Sequence, residues 1–154
     1  MISLSVVAVP VFLETTTQPP QLFHQWTRMY QYGHQVLPGM AICTFMLYTC
    51  ACFRNRGAEK PKPWRLLLLA GLVTVSIIPF TLLVMKPTND ELFRLESVTR
   101  THPEGKIADV DVMGIKDAQG LVVKWALMHL ARSTFPLIGA IIGAVGTMFS
   151  SGSW

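Results

Sequence analysis

The chain has 154 residues, of which 51% are hydrophobic and only 14% are charged. An ordinary soluble domain carries about 25% charged residues, and a small chain has much surface to keep in water, so the composition argues against a soluble globular domain. The net charge of +4 does not predict binding to nucleic acid, because the basic residues concentrate in one short loop rather than along a stripe.

Four apolar segments follow one another along the chain. The first covers 1–13 and is too short to cross a bilayer, which takes about 20 helical residues. The others cover 36–53, 66–85 and 121–149, and the third of the four contains no charged residue. We therefore predict an all-α, multi-pass transmembrane four-helix bundle with a short first helix, built as a single membrane domain over 1–154.

The loop between the second and third segments sets the predicted orientation. Because the loop is short and rich in lysine and arginine, the positive-inside rule places it in the cytosol. The polar stretch 86–120 then lies on the opposite side as the one larger extramembrane loop. Within it, the spacing of Leu92 and Leu95 predicts a short amphipathic helix. The basic residues of the cytosolic loop are Arg54, Arg56, Lys60, Lys62 and Arg65.

Three cysteines, Cys43, Cys50 and Cys52, all lie in the second apolar segment. An odd, clustered set without a CxxC pair predicts neither a disulfide framework nor a zinc site. We interpret them as small apolar side chains. A quinone-linked thiol oxidoreductase stays open as an alternative, and it would have to use Cys50 and Cys52.

Trp26, Tyr30 and His34 recur at intervals of four residues just before Pro38, which predicts one helix face near the membrane surface. Such a stripe is typical of an interfacial aromatic belt. The histidine opens a functional alternative, because a neutral imidazole is a suitable base near neutral pH.

Trp125, His129 and Arg132 form a second stripe at the start of the fourth segment. A charged residue inside a span usually faces the bundle interior, where Arg132 beside an imidazole would stabilise a developing oxyanion. The alternative is that the membrane begins at Ser133, which leaves Arg132 at the interface.

Further polar residues follow the third segment. Pro79 interrupts that segment near its exit, and Lys86 and Asn89 follow at the same predicted membrane face as the two stripes. These residues indicate either a kinked and capped end of the third helix or a part of the candidate active site. In the last segment, the spacing of Gly139 and Gly143 predicts close helix packing.

No nucleotide-binding glycine motif, HExxH motif, nucleophile elbow, haem signature or flavin signature is present in the sequence. The sequence therefore predicts no metal, and it predicts chemistry either without a bound cofactor or with one that no sequence motif marks.

Four stretches carry a resemblance: SLSVVAVPVFLETT, QWTRMYQYGHQVLP, IPFTLLVMKPTNDEL and VKWALMHLARSTFPLIGAIIG. In these blocks, and in their order over nearly the whole chain, the sequence resembles the fungal anthrone oxygenase family. The resemblance implies a small four-helix membrane protein of the endoplasmic reticulum in an aromatic polyketide pathway. It implies oxidation of an anthrone to an anthraquinone with O2 and without metal or flavin. In the last block the family often carries an asparagine where this chain has His129.

The implied reaction needs a base for the methylene proton, a partner for the enolate oxygen and a dry aromatic slot. The implied partners are a polycyclic phenol, membrane lipid and other pathway enzymes. The residues expected to act are His34 as the base, Arg132 as the oxyanion partner, His129 and Tyr30 as assisting groups, and Trp26, Trp125, Lys86 and Asn89 as substrate-binding groups.

A non-catalytic membrane scaffold, or an escort for a hydrophobic pathway intermediate, stays open as the alternative function. It predicts that the polar residues of the bundle are dispensable and that the basic cytosolic loop is required for partner capture.

Overall fold

The computed structural model describes residues 2–54, 64–101 and 114–151. All regular secondary structure within these ranges is helical, which confirms the predicted all-α class. Most of the basic loop that sets the predicted orientation falls on 55–63 and lies outside the described residues.

Four helical stretches make up the described chain. The first helix runs over Leu4–Thr15, the second over Pro19–Arg54, the third over Trp64–Thr101 and the fourth over Ile115–Ser151. The last three are long and apolar enough to cross a membrane, as expected of an integral membrane protein, whereas the first is too short.

The polar stretch predicted as a loop over 86–120 requires correction. It is helical over Lys86–Thr101 and again from Ile115 onward, so it contains more helix than predicted, and 102–113 lies outside the described residues. The amphipathic helix predicted within this stretch is confirmed, because Leu92 and Leu95 are buried. Burial of this apolar face stabilises the helix despite its polar composition.

Two helices accommodate a proline by widening a turn. The π-helical turns Leu4–Ala8 and Thr81–Met85 each end two residues before a proline, Pro10 and Pro87. A proline inside an α-helix lacks the N–H and its ring clashes with the carbonyl four residues earlier. A wider turn relieves the clash, which allows the third helix to continue past Pro87.

The chain divides into two compact units. The first unit combines Met1–His34 with Thr81–Ala131, and the second combines Gln35–Phe80 with Arg132–Trp154. Each unit therefore takes part of the second, third and fourth helices, and the first unit also contains the first helix.

In the first unit, the first and fourth helices run antiparallel. The Ser5 Oγ lies 3.0 Å from the Nδ1 of His129. Eight residues further along the first helix, the carbonyl of Leu13 accepts a hydrogen bond of 3.1 Å from the Gln119 Nε2. As the first helix proceeds from Ser5 to Leu13, its contact partner on the fourth helix shifts back from His129 to Gln119. The two helices therefore lie side by side over these eight residues, a length of about 12 Å.

In the second unit, glycines allow helices to approach closely. A Cβ added at Gly139 would lie 2.9 Å from the carbonyl oxygen of Ala70, and one added at Gly143 would overlap the ring of Tyr48. The Tyr48 hydroxyl donates a hydrogen bond of 3.4 Å to the carbonyl of Gly139. The close packing predicted from the glycine spacing is confirmed.

Candidate functional site

An aromatic cluster in the first unit joins the second, third and fourth helices. Trp26 contacts Trp125 with 5.7 Å between ring centroids and Phe93 with 5.1 Å. Tyr30 lies one turn from Trp26, with ring centroids 5.3 Å apart, and also meets Phe93 edge to face. Edge-to-face contacts suit the ring quadrupoles. Because Trp26 is fully buried, it is not part of a lipid-facing aromatic belt.

Asn89 fixes the orientation of one ring in this cluster. The indole Nε1 of Trp125 donates a hydrogen bond of 2.9 Å to the Asn89 Oδ1, and both side chains are buried. A buried bond of this kind contributes about 1 kcal/mol and removes the larger cost of an unsatisfied indole N–H. The prediction did not include Phe93. Phe93 lies four residues after Asn89 on an amphipathic helix, and this spacing puts both residues on one face. That spacing is the sequence signal that could have identified Phe93 as a site residue.

His129 is the buried histidine of the site. Only 1% of it is exposed, and its imidazole stacks on Trp125 with 4.9 Å between ring centroids. The contact between its Nδ1 and the Ser5 hydroxyl holds the ring in place. Ser5 was not predicted as a site residue, and its sequence signal is weak: a hydroxyl in an otherwise apolar run.

His34 and Lys86 are predicted site residues that the structure does not bring into the buried cluster. His34 is exposed, its Nδ1 lies 3.0 Å from the carbonyl oxygen of Gln31, and its ring stacks on Tyr30 at the edge of the cluster. Lys86 is exposed as well, and its ammonium pairs with the Asp90 carboxylate at 2.6 Å.

Arg132 belongs to the second unit. It lies three residues after His129 on the fourth helix, and only 8% of it is exposed. The burial favours the alternative in which the guanidinium faces the protein interior rather than the membrane surface.

The indole N–H of Trp26 is buried and has no hydrogen-bond partner among the described residues. An unsatisfied buried donor costs about 1–3 kcal/mol. The Trp26 ring lies among Tyr30, Phe93 and Trp125. A hydrogen-bond acceptor that reached its N–H would remove this cost.

In the part of the chain that the structure describes, no three histidine, cysteine or acidic side chains come together in a way that could hold a metal ion. The cysteines Cys43 and Cys50 are exposed and Cys52 is buried, and all three are free thiols.

Comparison with known proteins gives a consistent family signal. The family described as anthrone oxygenase matches residues 26–142. Among similar fungal proteins, the anthrone oxygenase AgnL2 of Paecilomyces divaricatus is 55% identical over 147 residues, which is 95% of this chain and 85% of that protein.

Two further relatives carry the same description. The anthrone oxygenase dmxR16 of a Cryptosporiopsis species is 43% identical over 96% of this chain and 77% of its own length. An anthrone oxygenase of Emericella nidulans is 39% identical over 93% of this chain and 86% of its own length. No solved structure matches this chain.

Proposed function

Because this chain belongs to the anthrone oxygenase family, we propose that it oxidises the central methylene of an anthrone to a carbonyl with O2, giving an anthraquinone. The protein is an oxygenase of fungal type, and its three long apolar helices suit a membrane-embedded enzyme acting on an apolar substrate. We place it in the endoplasmic reticulum, in an aromatic polyketide pathway.

One observation supports this function most directly: a buried imidazole stacked on an aromatic cluster. His129 is 1% exposed, contacts Trp125 and is held by Ser5. A neutral imidazole in a dry site is a suitable base for a weak carbon acid, and aromatic rings suit contact with a flat polycyclic substrate.

The reaction balances without a further reductant. A base takes one methylene proton, and the electron pair left behind delocalises into the ring system as a phenolate-like enolate. This electron-rich anion reacts with O2 to form a carbon-bound hydroperoxide once it is protonated. Loss of the second methylene proton then breaks the O–O bond. One oxygen atom remains as the new carbonyl, and the other leaves as water.

No cofactor is needed in this scheme, because the substrate itself supplies all four electrons that reduce O2, one pair from each methylene C–H bond. We therefore propose a cofactor-free enzyme with O2 as co-substrate. The protein contributes a base, donors for the enolate oxygen and exclusion of water, all of which this chain can supply from its own side chains.

We favour His129 over His34 as the base, because burial excludes water from His129 whereas His34 is exposed. Arg132 remains the proposed partner of the enolate oxygen, since a guanidinium in a low-dielectric setting stabilises an oxyanion strongly. Trp26 and Trp125 are proposed to stack on the rings of the substrate.

The proposal is tested by oxygen uptake in yeast microsomes that contain the full chain. Emodin anthrone is added with a chelator present, and quinone absorbance and O2 are followed together against empty-vector membranes, because anthrones also autoxidise. We expect a protein-dependent rate that resists the chelator and consumes one O2 per quinone. A folded, inserted protein with no rate above the control would favour the scaffold or escort alternative.

A histidine series then identifies the base. His129→Asn introduces the residue that the resembling family often carries at this position; it keeps a polar partner for Ser5 but cannot take a proton. If His129 is the base of this chain, the protein-dependent rate falls by about 100-fold or more. His34→Ala tests the exposed alternative, and His24→Ala, an exposed histidine at 58% side-chain exposure, is the matched control. If His129→Asn turns over at the wild-type rate, the assignment of the base to His129 is wrong, and if His34→Ala does so as well, neither histidine is the base.

A further inference from the structure

A partly open cleft of about 180 Å³ lies between the first and fourth helices. Its walls are apolar side chains from both helices, among them Val9, Leu127 and Leu130. Ser5 also lines the cleft and contributes a hydroxyl. The same hydroxyl lies 3.0 Å from the His129 Nδ1, so Ser5 connects the cleft to the buried histidine.

The polarity of the cleft changes along its length. At one end Leu13 and Val123 line it, and their chain neighbours Glu14 and Lys124 are both exposed. At the other end lies Ser5, beside the imidazole. The change from an apolar wall to a hydroxyl suits a largely apolar molecule that carries a polar oxygen at one end.

The size of the cleft limits what it can enclose. A cavity of about 150 Å³ lined by aliphatic and aromatic side chains takes up one benzene molecule. At about 180 Å³, this cleft encloses one ring of a fused tricyclic molecule and leaves the others outside. Leu127, which is 62% exposed, lies at the open side, where the remaining rings would contact apolar side chains and lipid.

A lipid acyl chain would fit the apolar wall but has no group for the Ser5–His129 pair. A phenol or ketone oxygen has one, because the Ser5 hydroxyl that lines the cleft both donates and accepts hydrogen bonds. The combination of one ring-sized apolar space and this pair distinguishes an oxygenated aromatic occupant from a lipid tail.

We propose that this cleft is the lateral access and binding site for the polycyclic phenol, which enters with one oxygen-bearing ring and is thereby brought to the Ser5–His129 pair. The inference rests on the proposed function and names the surface of the enzyme through which the substrate arrives. It also gives the short first helix a role, since that helix supplies one wall and the hydroxyl.

The test compares two leucines of equal exposure. Leu127 is 62% exposed and lines the cleft, whereas Leu82 is 61% exposed, lies in the same unit and does not line it. Leu127→Trp and Leu82→Trp are prepared as full chains in lipid nanodiscs. For each we would measure KM and kcat with emodin anthrone, and the binding of the product anthraquinone by quenching of tryptophan fluorescence.

We expect Leu127→Trp to raise KM and to weaken anthraquinone binding about tenfold or more, the scale of a misfit in an apolar pocket. Leu82→Trp should match the wild type in both measurements. If Leu127→Trp lowers the yield of folded protein, Leu127→Ala serves instead. It removes part of the wall without adding bulk and should also weaken binding, with Leu82→Ala as its control.

The outcomes separate the two proposals. If the wild type turns over the anthrone and the Leu127 variants behave like the Leu82 variants, the cleft is not the access site, and the oxygenase function stands. If the wild type binds the anthraquinone through the cleft but gives no protein-dependent turnover, the binding site stands and the oxygenase function fails. If the wild type neither turns over nor binds, both proposals are wrong.

Discussion

Replacing Gly143 with alanine tests the close helix packing that holds the second unit together. A Cβ at this position would overlap the Tyr48 ring and hydroxyl, so the ring must move. The same hydroxyl donates a hydrogen bond of 3.4 Å to the carbonyl of Gly139, and a displaced ring would lose it.

The expected loss follows from three contributions. Overpacking a well-packed site costs about 1–3 kcal/mol, and the lost hydrogen bond, which is long, adds about 0.5 kcal/mol. The higher helix propensity of alanine relative to glycine stabilises the folded state by about 1 kcal/mol. We therefore expect Gly143→Ala to lower the free energy of unfolding by about 0.5–2.5 kcal/mol. Gly120→Ala is the matched control, because a Cβ there meets nothing within 4 Å, so only the helix propensity changes and the protein becomes more stable.

The measurement is the thermal unfolding midpoint of each purified variant in the same detergent, which shifts by about 2–4 °C per kcal/mol for a chain of this size. Gly143→Ala should lower the midpoint and Gly120→Ala should raise it. In a Tyr48→Ala background, Gly143→Ala should cost nothing further, since the overlapping ring is gone. Equal midpoints for Gly143→Ala and Gly120→Ala would refute the packing argument.

Two further predictions concern the first unit and the cysteines. Asn89→Ala leaves the buried indole N–H of Trp125 without its acceptor, so we expect a loss of about 1–3 kcal/mol in unfolding free energy. An unchanged thermal midpoint would show that this hydrogen bond contributes nothing. Replacing Cys43, Cys50 and Cys52 together with serine should leave anthrone turnover in membranes unchanged, because the scheme uses no thiol. Loss of turnover in a folded triple variant would instead favour the thiol oxidoreductase alternative.

For a stripe that spans about two helical turns, helical periodicity correctly predicted which residues share a buried face. Trp125, His129 and Arg132 are all buried, in agreement with their spacing of four and three residues. The apolar segments likewise located the three long helices. These features are local, because they depend on the repeat of one helix and on its hydrophobic content.

The same periodicity misplaced His34. Each step of four residues turns a side chain about 40° past a full helical turn, so His34 lies about 80° around the helix from Trp26. Trp26 is consequently fully buried, Tyr30 is half-buried and His34 is exposed. A stripe of two residues at this spacing shares a face, whereas a stripe of three begins to leave it.

Partners on different helices could not be predicted from one sequence. The contacts of Ser5 with His129 and of Asn89 with Trp125 join residues 124 and 36 positions apart. Periodicity identifies the inward face of a helix but not the helix it meets. The continuation of the third helix through Pro87 was missed for a similar reason, because a proline usually marks a helix boundary and a widened turn leaves no signal in composition.

Because the turn at Leu4–Ala8 is widened, the direction of the Ser5 hydroxyl depends on how many residues this turn contains. Deleting Val7 would let the turn relax to ordinary α-helical geometry and rotate Ser5 about 100° around the helix axis, away from His129. In relatives of this protein, a one-residue gap in the alignment at this turn would therefore alter the site as much as a substitution of Ser5 itself.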